Sequence, residues 1–269
     1  MKYTIRLSYV FIVLISVLAL IIPFFPFDPN YFDPNEILGP IPPSLTHWFG
    51  TDDLGRDLLI RTIYGARVSL AIGIISVTIS IGLGSIIGVV SGWVGGWIDE
   101  LIMRFIDFAM AIPTIFLILI IQTLFKPSII NVMIVIGITS WMGVARLVRA
   151  EVLSIKERPF VLAAKARSIS STRLLFWHVL PHTFPPVIVA ATLDVGNAIL
   201  VESVLSFLGL GVQPPNASWG NMLQNSLSYM IDAPWMAIIP GLFITLTVLA
   251  INFIGDNLRA TLNKRESNA

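Results

Sequence analysis

The chain has 269 residues, of which 55% are hydrophobic and only 12% charged, with a formal net charge of +1 and a mean hydropathy of +0.84. A globular domain in water carries roughly 25% charged residues, so the composition is that of an all-α integral membrane protein, and its near-neutral charge points to neither nucleic acid nor an acidic partner. Cysteine is absent, which removes disulfides, thiol nucleophiles and Cys-ligated metals.

A helix needs about 20 apolar residues to cross the hydrocarbon core. Six stretches meet or approach this, at about 7–25, 68–92, 103–125, 129–148, 184–206 and 235–255. The first follows Lys2 and Arg6, and its apolar run ends in "LALIIPFFPFDPN" with no small-residue cleavage pair, so it reads as a retained span and not a signal peptide. Residues 26–67 are rich in Pro, Asp and Asn, which predicts an ordered loop with short helices. The half-apolar stretch at about 207–234 suits a short segment folding back toward the membrane. The chain thus divides into residues 1–67, a first helix with its outer segment, and 68–269, a five-helix core interrupted by a polar loop at about 150–183.

Charge sets the orientation. With the N-terminus inside, the cytoplasmic face receives Lys2, Arg6 and Arg104, the cluster Arg146, Arg149, Lys156, Arg158, Lys165, Arg167 and Arg173, and finally Arg259, Lys264 and Arg265. Only Arg56, Arg61, Arg67 and Lys126 of the 17 basic residues remain outside. The positive-inside rule therefore places both termini and the 150–183 loop in the cytoplasm.

Within the spans, Ser76, Ser80, Gly84, Gly88 and Gly92 recur every four residues and form a small-residue ridge for close helix packing, within the chain or against a second subunit. Asp194 and Glu202 are the acidic residues deepest in a span. They lie eight positions apart, on roughly one helix face and about 12 Å along the axis, and either line a wet pathway or pair with donors on a neighbouring helix. His178 and His182 have a spacing that suits a metal, but Pro181 between them disfavours the helix this requires, so no metal site is assigned. "NAS" at 216–218 matches a glycosylation sequon too short to weigh. No Gly-Lys pair occurs, hence no phosphate loop, and neither GxSxG nor HExxH is present. No catalytic residue is assigned, and energy for any driven transport has to come from another subunit or an ion gradient.

The polar loop carries "LAAKARSISSTRLLFWHVLP", which resembles the E-A-A-x3-G-x9-I-x-L-P loop of bacterial ABC importer permeases. Leu162, Ala163, Ala164, Ser168, His178, Leu180 and Pro181 fall on its seven fixed positions, and Ala163, Ala164, Leu180 and Pro181 agree with it. "FGTDDLGRDLLIRTIYGARVSL" (49–70) and "ESVLSFLGLGVQPPNASWGNML" (202–223) are similar to signatures of the second permease subunit of dipeptide, oligopeptide and nickel importers.

The resemblance implies a type I ABC importer permease fold with a cytoplasmic coupling helix, in a bacterial or archaeal plasma membrane. It implies a second permease as heterodimer partner, two ATPase subunits that use ATP and Mg, and an extracytoplasmic binding protein, with no cofactor bound by this chain. In that frame Ala163 and Ala164 allow close approach to an ATPase groove, Phe160 and Val161 supply buried apolar contact, and Lys165 and Arg167 face its rim. Leu162 replaces the Glu of the pattern and Ser168 its Gly, so the turn after the coupling helix is expected to form by another route, such as a hydroxyl cap from Ser168, Ser170 or Ser171. Peptide is favoured over nickel because the His residues lie in loops or at span ends and the Met residues are scattered. The alternatives are a nickel importer permease of the same family and a proton-driven carrier working through Asp194 and Glu202.

Overall fold

The computed structural model describes residues 2–31 and 39–267, with side chains to residue 262. Lys2, Lys264 and Arg265, counted in the charge balance above, have side chains outside the described set, as does part of the 26–67 segment. Ten α-helices are described: α1 (Lys2–Ile21), α2 (Leu58–Val94), α3 (Gly96–Met110), α4 (Thr114–Thr123), α5 (Ile129–Lys156), α6 (Pro159–Ala166), α7 (Ser171–Leu174), α8 (Leu180–Phe207), α9 (Trp219–Ser226) and α10 (Trp235–Ser267). Five spans are long and apolar enough to cross a membrane, and a sixth results if α3 and α4 count as one bent span.

The third expected span, 103–125, is not one straight helix. Its axis turns by 82° between α3 and α4. Pro113 has no N–H to continue α3 and takes an extended ψ of 125°, the restriction expected of a proline inside a helical run. The other spans are longer than their apolar cores. Asp57 caps α2 by accepting from the Ile60 N–H at 3.0 Å, so this helix begins ten residues before the expected start, and α5 continues to Lys156 because its polar last turns are helix formers packed on α2.

The small-residue ridge of α2 faces α5, which runs parallel to it, so that positions 76, 84, 88 and 92 of α2 meet 133, 144, 148 and 152 of α5 in turn. A Cβ on Gly84 would come within 2.6 Å of the Val144 Cβ, and one on Gly92 within 3.0 Å of the Arg149 carbonyl oxygen. Ser76 Oγ donates to the Met133 carbonyl at 3.0 Å, Ser80 is fully buried, and Gly137 returns the close approach from the α5 side against Ile79. Backbone proximity of this kind replaces the hydrophobic drive that lipid cannot supply. Lys156 closes the pair, donating to the Gly92 and Trp93 carbonyls at 3.0 Å each, where the last carbonyls of α2 lack helical partners.

The segment before α2 contains no helix among its described residues between 25 and 57, unlike the expectation. It is held by point contacts instead. Arg61, 1% exposed, donates through Nη1 to the Pro29 carbonyl at 3.0 Å and pairs through Nε with Asp52 at 3.3 Å. Asp52 also accepts from Arg56 Nε at 2.7 Å, and Trp235 Nε1 donates to the Thr51 carbonyl at 3.2 Å. Pro and Asp break regular structure here, and a buried guanidinium with several acceptors anchors what remains. The later fold-back segment does form a helix, α9, started by a capping box between Ser218 and Asn221 and sealed by the fully buried Trp219.

Candidate coupling surface and transport pathway

At one end of the bundle α5 leads through Glu157 and Arg158 into α6, where Pro159 occupies the first helical position, the one place in a helix where a missing N–H costs nothing. Val161 and Ala164, three residues apart and so on one face, are 1% and 8% exposed. They pack into a cluster with Val148, Val152 and Ile155 of α5, Leu174 of α7, and Val179 and Val187 around the start of α8. This corrects the expectation that both lie at a partner's surface: they clamp α6 to its own bundle. The opposite face carries Phe160, Leu162, Ala163, Lys165 and Arg167, all exposed. Phe160 leans on His182 with ring centroids 5.1 Å apart.

Ser168 ends α6 with φ +58°, and its N–H reaches the Lys165 carbonyl at 3.1 Å. The expected alternative route for the turn is therefore not taken. Ser168 itself adopts the left-handed conformation natural to glycine, and no side-chain hydrogen bond caps α7 at Ser170. The chain then passes through one π-helical turn at 175–179 into α8, with Pro181 in the first turn of that helix. Pro181 does not end the helical path, because the wide turn before it absorbs the missing hydrogen bond.

At the other end of α8, Glu202 is fully buried. It accepts from Ser69 Oγ of α2 at 3.1 Å and from Ser206 Oγ at 2.7 Å. Ser206 Oγ accepts in turn from the Val212 N–H at 2.9 Å, and Ser69 Oγ accepts from the Trp219 N–H at 3.4 Å. Glu202 therefore does not line a pathway. Of the two roles open to it in the sequence, it takes the pairing with donors, and ties α2, α8 and the start of α9 together.

Asp194 has different surroundings, although it shares a helix with Glu202. It borders a cavity of about 290 Å³ together with Ser76, Thr114, Ser140, Asn197 and the apolar side chains of Val77, Ile136, Ala198 and Val201. Thr114 opens α4, so the bend at Pro113 delivers a helix start to this cavity. Sequence reasoning singled out Asp194 and Ser76 but missed Thr114, Ser140 and Asn197. The apolar residues on both sides of the bend conceal it, yet Pro113 was the available signal, and Asn197 one turn from Asp194 was another.

Residues 84–268 match the family described as binding-protein-dependent transport system inner membrane component. The chain is 42% identical over 262 residues to the dipeptide transport system permease protein of Alkalihalophilus pseudofirmus, covering 97% of this chain and 86% of that one. It is 38% identical to the oligopeptide transport system permease protein of Bacillus subtilis, over 95% of this chain and 84% of the relative. The solved inward-facing MetNI methionine ABC transporter superposes with a TM-score of 0.60 at 17% identity, covering 76% of this chain and 97% of the other. An amino acid ABC transporter gives a TM-score of 0.56 at 16% identity, over 76% and 94% of the two chains. The fold is thus that of an ABC importer permease, and the chain belongs to the family of binding-protein-dependent transport system inner membrane components.

Proposed function

We propose that this chain is one permease half of an ATP-driven importer of di- or oligopeptides. A second permease completes the pathway, two ATPase subunits bind and hydrolyse ATP with Mg, and an extracytoplasmic binding protein delivers the substrate. The chain itself is a transport subunit and not an enzyme. Peptide as cargo is supported by the dipeptide and oligopeptide permeases named above. Both termini and α6 lie in the cytoplasm of a bacterial or archaeal cell, a reading supported by the basic residues gathered on that side.

The observation that carries the coupling role is the two-faced character of α6. Its exposed face, Phe160, Leu162, Ala163, Lys165 and Arg167, is open to an ATPase groove, and its inner face is locked to α5 and α8 through Val161 and Ala164. A displacement of α6 therefore moves the spans as a body, as in hinge and shear transitions. Ala163 permits close approach at the docking face, Lys165 and Arg167 supply charge, and Ser168 fixes the exit direction.

The test is co-purification of a tagged copy, in mild detergent, from its native membrane. Recovery of a second permease and ATPase subunits is expected. A chain that emerges alone, stable and still able to transport would overturn the reading in favour of an ion-coupled carrier.

A further inference from the structure

Asn197 is exposed at the midpoint of α8, and Asp194 beside it is half-buried. Ser140 and Ser76, which share their cavity, occupy the middle of α5 and α2. A carboxylate and an amide at this depth are costly to place against hydrocarbon, so this face of α8 looks onto water or a partner and not onto lipid.

The charge of the cavity is one-sided. Ser76 Oγ spends its proton on the Met133 carbonyl at 3.0 Å, and Ser140 Oγ spends its proton on the Ile136 carbonyl at 2.8 Å. Each hydroxyl keeps only acceptor lone pairs for a guest. Asn197, three positions from Asp194 and so on the same side of α8, adds a side-chain carbonyl oxygen to the lining. Among the described residues, no Lys, Arg or His forms an ion pair with Asp194. The cavity therefore offers one anionic group and several neutral acceptors, with no cation of its own.

The geometry points to a mid-membrane subsite for a primary ammonium group, the free amino terminus of a passing peptide, with Asp194 as its counter-ion. This rests on the importer reading above and adds which end of the cargo this chain holds. An ammonium carries three donors and no acceptor, matching a lining whose one charge is a carboxylate surrounded by hydroxyl and amide oxygens. A transition metal fits less well, because no His, Cys or Met side chain among the described residues lines the cavity. At about 290 Å³ the space accommodates the end of a peptide and not its length, in keeping with a contact made in passing.

The experiment uses the full transporter with its partner permease, ATPases and binding protein in proteoliposomes, with a tripeptide bearing a free amino terminus as probe. Peptide uptake and ATP hydrolysis stimulated by the loaded binding protein are measured together for wild type, Asp194→Asn and Asp194→Glu. Asp194→Asn is expected to lower uptake about tenfold, the equivalent of one charge-assisted hydrogen bond, while leaving stimulated hydrolysis at the wild-type level. Asp194→Glu is expected to restore most of the uptake. Unchanged uptake in Asp194→Asn overturns the subsite, as does a parallel fall in hydrolysis, which marks a structural role, or a loss that Asp194→Glu does not restore. A wild-type complex that hydrolyses ATP but imports no peptide would overturn the importer reading instead.

Discussion

Gly88 of α2 lies so close to Ala145 of α5 that a Cβ added to it would come within 2.5 Å of the Ala145 carbonyl oxygen and 2.8 Å of the Val148 Cβ. The obstacle on one side is backbone, which has no rotamer to yield. Gly88→Val is therefore expected to force the helices apart at a cost of about 1–3 kcal/mol, read as a lowered unfolding temperature of the detergent-solubilised complex. Gly82, on the same helix with nothing within 4 Å of its position for a Cβ, is the control. Gly82→Ala is expected to hold or raise stability, because alanine is favoured over glycine in a helix by about 1 kcal/mol.

Glu202→Ala removes both acceptors from Ser69 and Ser206. The buried hydroxyls left behind cost about 1–3 kcal/mol each, and α9 loses part of its attachment. Glu202→Gln keeps one acceptor oxygen and is expected to be milder. Limited proteolysis between residues 207 and 234 checks the order: faster cleavage is expected in Glu202→Ala than in Glu202→Gln.

The two faces of α6 separate docking from folding. Ala163→Arg is expected to assemble with the partner permease yet lose ATPase subunits on co-purification, because the added side chain stands on the exposed face. Val161→Asp places a carboxylate into the cluster of Val148, Val152 and Leu174 and is expected to lower the yield of folded chain. Ala164→Arg behaves like Val161→Asp, since Ala164 is only 8% exposed.

Ser168 holds φ +58° without being glycine, a conformation that costs an L-residue about 1–2 kcal/mol. Ser168→Gly is expected to raise the stability of the α6 to α7 connection, and Ser168→Val to lower it, since a β-branched residue is least at ease there. Hydrogen exchange of the amides at 165–170 reports both.

Burial, and after it the neighbouring Asp52 carboxylate, pushes the Asp53 carboxyl above its ordinary value of 3.8. The folded chain therefore binds this proton more tightly than the unfolded one. The resulting stabilisation is present in acid and is lost as the pH rises through the raised value. Asp53→Asn is expected to be more stable than wild type at neutral pH, and the difference to shrink as the medium is acidified. Thermal unfolding of the two proteins across that range checks the sign.

Much of the architecture could be read from the chain because a membrane span is written as an uninterrupted apolar run. The glycine ridge was legible for the same reason, its four-residue repeat being local. The 82° bend was not, because Ile and Leu on both sides of Pro113 kept the hydropathy high while that one residue redirected the backbone. Glu202 was noticed as a buried carboxylate, but its partner Ser69 lies 133 positions away, and no local pattern joins them. The inward face of α6 was open to reading from the three-residue interval between Val161 and Ala164, and the family pattern drew attention to the opposite surface. Asp194 and Glu202 looked equivalent by spacing; the distinction came from α2, α4 and α5, which bring serines and a helix start to different heights of α8.

The bond from Lys156 to the last carbonyls of α2 makes the parallel pair of α2 and α5 into a single rod with a handle. At 1.5 Å per residue the 37 residues of α2 extend about 55 Å, and α6 begins three residues after the fastening point. Rocking such a rod by about 10° about its base carries its far tip about 10 Å, under the tip-side clasp of Arg61 and Asp52. A small stroke applied at the handle is thus geared up into a wide sweep at the mouth, with no helix needing to unwind.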